Sequence, residues 1–466
     1  MLIRLLLYFM LGLFLIWFFN GGLEKIMTPP SDLSSIPEQQ KPYQKTPTAK
    51  PLTPSMAKAQ EREARLYLNR LRQSVQLTPL QYNTALSNAA HQHASYSSLN
   101  NIQSHEERPN LPGFSGQTPT TRAFTAGYQS PVAEVIAYNH RRPHPFIDDL
   151  MSAIYHRLSL LSMTQDQIGI GIAGDGKGTV NSSLTALLGN QTLNALCQSP
   201  PSPQPGTYYY QDVCQNNRPV SKRDYDKALN QVAKQNPKLI VWPKPGGDVS
   251  PVFYEESPDP LPECNVSGYP VHLQINPIYA GRIELLNETF KVFEQKNGEM
   301  IPIVPQTIFD NQSNPVTALN ALKAHLKSSS KKDRWIAFFP KHRLNWNSHY
   351  QAEIQYKEDG QRKTKRWQFT TQNQPGLVTF TAEKGQQQTL NIKKGQTYTL
   401  YFPPSQCKMA STIVMRKQIP KSIDVSSRFI DGETIQVTLN AAPFGGAFSI
   451  AYGPSQTLIR FEIETD

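Results

Sequence analysis

The sequence predicts an α+β chain: one mixed α and β domain, then two all-β domains. Three observations carry this. Apolar residues recur at helical spacing between Gln60 and Leu158, a strand and return strand follow from Gln167 to Leu188, and from about Gly246 only strand patterns remain. A length of 466 residues is too long for one ordinary domain.

The chain opens with an apolar run, Leu5 to Phe19, preceded by Arg4 and followed by Asn20-Gly21-Gly22. Fifteen helical residues span about 22 Å, short of a ~30 Å hydrocarbon core. That length suits a signal peptide. Bulky Trp17, Phe18 and Phe19, however, stand where a small-x-small cleavage site should begin. Residues 1–23 are therefore read as a signal peptide or, preferably, an uncleaved anchor to the membrane. Either way the bulk of the chain is placed outside the cytoplasm, periplasmic or on the cell surface, or secreted if the segment is cleaved. Residues 24–56 are rich in Pro, Ser, Thr and Gln and read as a disordered tether.

The first domain is expected over 57–197. Gln60 to Gln73 places Ala64, Tyr67, Leu68 and Leu71 on one helical side. Thr78-Pro79-Leu80-Gln81 reads as an N-cap, a first-turn proline and a capping-box Gln. The helix that follows carries Leu86, Ala89, Ala90, His93 and Ser97 on one face. A short helix starts at Thr118-Pro119 and stops at Gly127, and another runs from Pro145 through Leu158. Gln167 to Ala173 is a strand, 174–178 a glycine-rich turn and Thr179 to Leu188 the return strand.

Residues 198–245 read as an irregular linker with one helix at Ser221 to Gln235. Residues 246–375 read as a β-sandwich closed by Tyr350–Tyr356, a turn at Glu358-Asp359-Gly360 and Trp367–Thr371. This resembles the immunoglobulin-like modules of bacterial surface proteins. Residues 376–466 form a further β-domain with strands at Gln388–Ile392, Thr397–Phe402, Thr434–Leu439 and Ala447–Tyr452.

Composition narrows the function. Mean hydropathy is −0.48, and 38 prolines, about 8%, exceed the usual ~5%, as expected of domains joined by connectors. The formal charge is +11. That suits an anionic envelope, and no basic helix, zinc finger or aromatic RNA-binding signature supports nucleic acid. The four cysteines, Cys197, Cys214, Cys264 and Cys407, contain no CxxC pair, which argues against zinc ribbons and thioredoxin-like chemistry. In an exported protein they allow two disulfides in three connectivities. Cys197–Cys214 would close a short loop and leave Cys264–Cys407. Four free thiols are the alternative.

Several motif matches fail on context. Gly169 to Gly174 spells GxGxxG, but its glycines lie within a strand instead of opening a helix. His105-Glu106-Glu107-Arg108-Pro109 lacks the second histidine of HExxH, and Gly113-Phe114-Ser115-Gly116 lacks the final glycine of a nucleophile elbow. His140-Arg141-Arg142-Pro143-His144 reads as a solvated basic loop. His93, on an apolar helical face, reads as a packed core histidine.

The order of the pieces between His93 and Gly171 resembles the CAP family (cysteine-rich secretory, antigen 5 and pathogenesis-related proteins) in its bacterial branch. A helix carries His93 about a dozen residues before Ser104-His105. Ala126-Gly127-Tyr128, the acid Glu134, Tyr155-His156-Arg157 and Ile168-Gly169-Ile170-Gly171 then follow in order. The resemblance covers roughly residues 60 to 190. It implies an α-β-α sandwich with a cleft lined by His105, Glu134 and His156. Animal and plant members carry a second glutamate, which would fall near Ala153, where Asp149 is the substitute. Two imidazoles and a carboxylate suit zinc or another divalent cation, or an anionic headgroup through imidazolium. A structural hydrogen-bond network is the alternative.

No nucleophile accompanies these residues. The expected function is therefore a binding or interaction module tethered in the bacterial envelope, not an enzyme, whose partner is an envelope lipid, a cell-wall polymer or a surface protein. The alternative is a metal-dependent hydrolase of envelope peptides or polysaccharides that uses His105, Glu134 and His156.

Overall fold

A computed structural model describes residues 51–464, apart from 175, 200–203, 206, 262, 311–333, 374–377, 383–384, 405–406, 409–414, 444 and 453–456. The described residues belong to one unit that spans residues 44–466. The expected signal peptide or anchor, 1–23, lies outside the described residues. Among the described residues no helix is long and apolar enough to cross a membrane.

The first domain is built from helices α1 (Pro54–Ser74), α2 (Thr84–Asn100), α3 (Pro119–Thr125), α4 (Pro143–Ser152), α5 (Ile154–Leu160) and α6 (Gln191–Gln198) around one sheet. Its strands are β1 (Gln81–Tyr82), β2 (Ala133–Tyr138), β3 (Gln167–Ala173) and β4 (Ser183–Gly189), in the order β1-β3-β4-β2. The β3–β4 and β4–β2 pairs are antiparallel, and β1 lies parallel to β3. Helix α1 begins inside the expected tether, because Pro54 takes the first turn and Thr53 accepts from the Met56 amide.

Two local readings are corrected. Helix α2 starts at Thr84, not at Pro79. Asn83 is its cap and accepts from the Leu86 amide, while Gln81 and Tyr82 are drawn into the sheet beside Gln167 and Ile168. Thr78 is engaged by Asn236 instead. The single helix expected from Pro145 to Leu158 is two, broken at Ala153, whose backbone is extended. Arg157 folds back across the break and donates to Met151 O and Ser152 O.

The glycines of β3 explain how α2 meets the sheet. A Cβ on Gly169 would stand 2.0 Å from the Ser87 amide nitrogen, and one on Gly171 2.1 Å from that of His91. Only hydrogen fits there, so the helix backbone rests directly on the strand. This bare strand face is what the GxG pattern serves.

The expected linker 198–245 holds ordered structure. Helix α7 (Lys222–Ala233) is capped by Ser221, and strand 239–242 pairs with 271–275 inside the next module. The middle module therefore starts at about 239, not 246. Its sheets are 305–310, 334–340, 271–275, 239–242 and 299–302, 283–296, 349–358, 361–371, 247–249. Their inner faces share one core, with Phe290 against Phe338 and Trp367. The same core continues into the first domain through Phe146, Ile147, Leu150 and Met151 of α4. The last module, over 378–463, is built from two sheets of four strands each, closed around Leu400, Val437, Ile450 and Phe461. Disulfides join Cys197 to Cys214 and Cys264 to Cys407, the latter tying the middle module to the last.

Candidate functional site

The site grows from two helices, one strand and a loop. Helix α2 presents His93, the loop after it presents His105 and Glu107, α3 presents Arg122, and β2 presents Glu134. Thr118 and Thr121 form a capping box, with Pro119 in the first turn, so the short α3 has a fixed start and aims Arg122 inward.

His93 is fully buried. Its Nδ1 lies 2.9 Å from Glu107 Oε1 and its Nε2 2.9 Å from Ser104 O. Glu107 is buried as well and accepts from the Ser115 amide at 2.6 Å and from the Ser115 hydroxyl. Burial alone would raise its carboxyl. The His93 hydrogen bond, the Ser115 amide and the Arg122 charge outweigh that and hold it below the usual range.

Arg122 is also fully buried. Its Nη2 donates to both oxygens of Glu134, at 2.9 and 2.7 Å, and its Nη1 to Gly116 O and Gln117 O. Glu134 further accepts from His105 Nδ1 at 2.9 Å. Burial pushes the Glu134 carboxyl up, but the His105 bond and the Arg122 charge win and keep it low. A carboxylate cannot donate, so His105 Nδ1 carries its proton toward Glu134. His105 is 47% exposed while Glu134 is 1% exposed. The arrangement is one accessible imidazole held by a buried, charged scaffold.

Of the residues expected in the cleft, only His105 and Glu134 touch. His156 Nδ1 lies 3.1 Å from Glu256 Oε2 of the middle module. Glu256 also accepts from the amides of Ile154, at 2.5 Å, and Tyr155, at 3.1 Å. Helix α5 has Ala153 at its N-cap and no side-chain cap of its own, so Glu256 supplies the missing anion across the module boundary. Asp149 faces His140 at 3.7 Å. The next residue, Arg157, is buried and donates to Pro270 O at 2.7 Å while lying over the Tyr269 ring. His272 beside it is pushed well below its ordinary range by burial, then by Arg157.

The residues do not fit a metal. Both oxygens of Glu134 are taken by a guanidinium, and His156 is turned to Glu256. Among the described residues no group of three or more His, Cys, Asp or Glu is placed to hold an ion. His93 proves to be a core residue, as its apolar face implies, but one wired to Glu107. Arg122 escaped the sequence reading. The signal was the Thr-Pro-Thr-Thr-Arg run, in which a capped helix only two turns long carries a cation on its buried side.

Residues 66–198 match the family model of the cysteine-rich secretory protein family, CAP. This chain carries a CAP domain, as the order of motifs implied. No curated protein matches the chain. Among solved structures, an outer surface protein from Borrelia burgdorferi shares 17% identity over 28% of this chain and 92% of its own, with a TM-score of 0.25. An extracellular SCP-domain protein from Bacillus anthracis shares 21% over 30% of this chain and 45% of its own, with a TM-score of 0.25. A cysteine-rich secretory protein from Staphylococcus aureus shares 16% over 29% and 40%, with a TM-score of 0.23.

Proposed function

We propose that the protein is an exported recognition module of the bacterial extracellular type, whose CAP domain and β-modules bind an envelope component. The observation that carries this reading is the placement of His156. A hydrolytic centre would need it beside His105 and Glu134, yet Glu256 holds it at the module boundary while Arg122 neutralises Glu134. A catalyst needs a nucleophile or activated water and a positioned base, and among the described residues none beside His105 is placed to play the first part. What the site offers is a fixed imidazole that accepts a hydrogen bond through Nε2, or donates one to an anion when protonated.

Two disulfides support an oxidising compartment. The match of residues 66–198 to the cysteine-rich secretory protein family supports the same reading. Tethering to the membrane through residues 1–23 belongs to the same reading.

The test is co-sedimentation of the full chain with purified cell-wall sacculi and with phosphatidylglycerol vesicles, beside His105→Ala. Binding to either that weakens in the variant supports the proposal. Zinc-dependent release of soluble products from sacculi, abolished by His105→Ala, would overturn it.

A further inference from the structure

A groove of about 730 Å³ lies between α1 and α2, floored by Ile170 of β3. Lys58, Arg62 and Arg65 line it from α1. Their spacing of four and three residues puts them on one stripe of the helix, successive members about 6 and 4.5 Å apart along the axis.

A run of basic residues on a helix is ordinarily a solvated face balanced by neighbouring acids. Here the balance is missing. Glu61, the acid among them, also lines the groove, but it is engaged there by His91 Nδ1 at 2.8 Å and by the Ile172 amide at 3.0 Å. Glu63 faces His144. Among the described residues no carboxylate lies within ion-pair distance of Lys58, Arg62 or Arg65. Arg65 stands beside the half-exposed Tyr82 ring, and its Nε, shielded from water, has no hydrogen-bond partner there. The rest of the guanidinium lines the groove, where a charge-assisted hydrogen bond to an oxyanion is stronger than one between neutral groups.

We propose that this groove binds a linear chain of repeating phosphate groups, with Lys58, Arg62 and Arg65 each meeting one anionic group. The concavity selects a strand over a flat surface, and the stripe selects repeated charges over a single ion. The groove involves neither His105 nor Glu134, so the proposal stands independently of the recognition site above.

The test is binding of fluorescently labelled short-chain polyphosphate to the full protein by anisotropy at several salt concentrations. Lys58→Glu/Arg62→Glu changes two exposed positions, and an unaltered unfolding temperature reports an intact fold. A second pair, Lys227→Glu on α7 and Lys234→Glu at its C-cap, changes the net charge equally at another basic patch. The expected result is at least tenfold weaker binding in the first pair, a reduced salt slope as fewer phosphates are neutralised, and unchanged binding in the second. Equal losses in both pairs would reduce the effect to overall charge and overturn the proposal. So would binding to phosphatidylglycerol vesicles without binding to polyphosphate, which would make the stripe a membrane contact.

Discussion

The buried Arg122 guanidinium holds both carboxylate oxygens of Glu134 through one nitrogen, at 2.9 and 2.7 Å. It thereby fixes the carboxylate that in turn orients His105. Two charges are removed from water together, so each depends on the other. Replacing Arg122 by Met should cost about 3–5 kcal/mol, because it strands the Glu134 charge in the interior. Arg122→Met/Glu134→Leu should recover much of that loss, since no charge then remains unpaired. Urea unfolding of the two variants measures the difference.

The same pair argues against metal uptake. A ligand that binds only the folded state raises the unfolding temperature in proportion to its occupancy. Excess zinc should leave the unfolding temperature of the full chain unchanged. A zinc-dependent rise that disappears in His105→Ala would show that Arg122 yields to a cation.

Glu256 is a helix cap borrowed from another module. Glu256→Ala should cost about 2–4 kcal/mol, combining the lost cap with lost charge-assisted hydrogen bonds. His156→Ala removes one of the three donors and should cost about 1 kcal/mol. Because the two modules share one core, both variants should still unfold in a single calorimetric transition for the CAP domain and the middle module.

The bare face of β3 sets a steric limit. Gly171→Ala would bring a methyl within 2.1 Å of the α2 backbone and should cost at least about 3 kcal/mol, since backbone cannot give way as a side-chain tip can. Gly281→Ala, where a Cβ meets nothing within 4 Å, is the matched control and should change stability little. Thermal unfolding distinguishes them.

The joint between the middle and last modules carries a pH dependence. Arg343 donates to Asp431 at 2.8 Å and to Thr434, and Tyr254 donates to Asp431. Beside them Glu433 is buried with both carboxylate oxygens unpartnered among the described residues. Burial first, then the Asp431 charge, push its carboxyl up to about 8, against the smaller opposing pull of Arg343. A carboxyl raised on folding favours the folded state most below its unfolded value of 4.5, and that advantage is lost as pH rises through about 8. Stability of the last module should therefore fall between about pH 5 and 8. Glu433→Gln, permanently neutral, should flatten the decline. An unchanged slope in Glu433→Gln would place the titration elsewhere.

Much of the CAP domain was legible in one dimension. Helical stripes, Thr-Pro starts and the alternation of Gln167–Ala173 are local signals, and local signals report elements whose neighbours agree with them. The same holds for His105 and Glu134, whose motif order implied contact. Where a local signal was overruled, a long-range partner did it. Thr78-Pro79 reads as a helix start, but β3 captured Gln81 and Tyr82 and moved the start to Asn83. The stripe from Pro145 to Leu158 is continuous on paper, but Arg157 and Glu256 break the helix between them. Strand 239–242 is short and apolar and reads as linker, because its assignment rests on pairing with 271–275.

By itself the sequence determined the mixed class of the first domain and the β class of the last two modules, the motif order of the CAP domain and the available charges, since these depend on residue types and short spacings. Tertiary structure alone decided which charges meet. Glu134 belongs to Arg122 as much as to His105, and His156 belongs to Glu256, a residue 100 positions away on another module. Partner choice is set by distances in folded space and by the need to pair every buried charge, and neither is written in sequence separation.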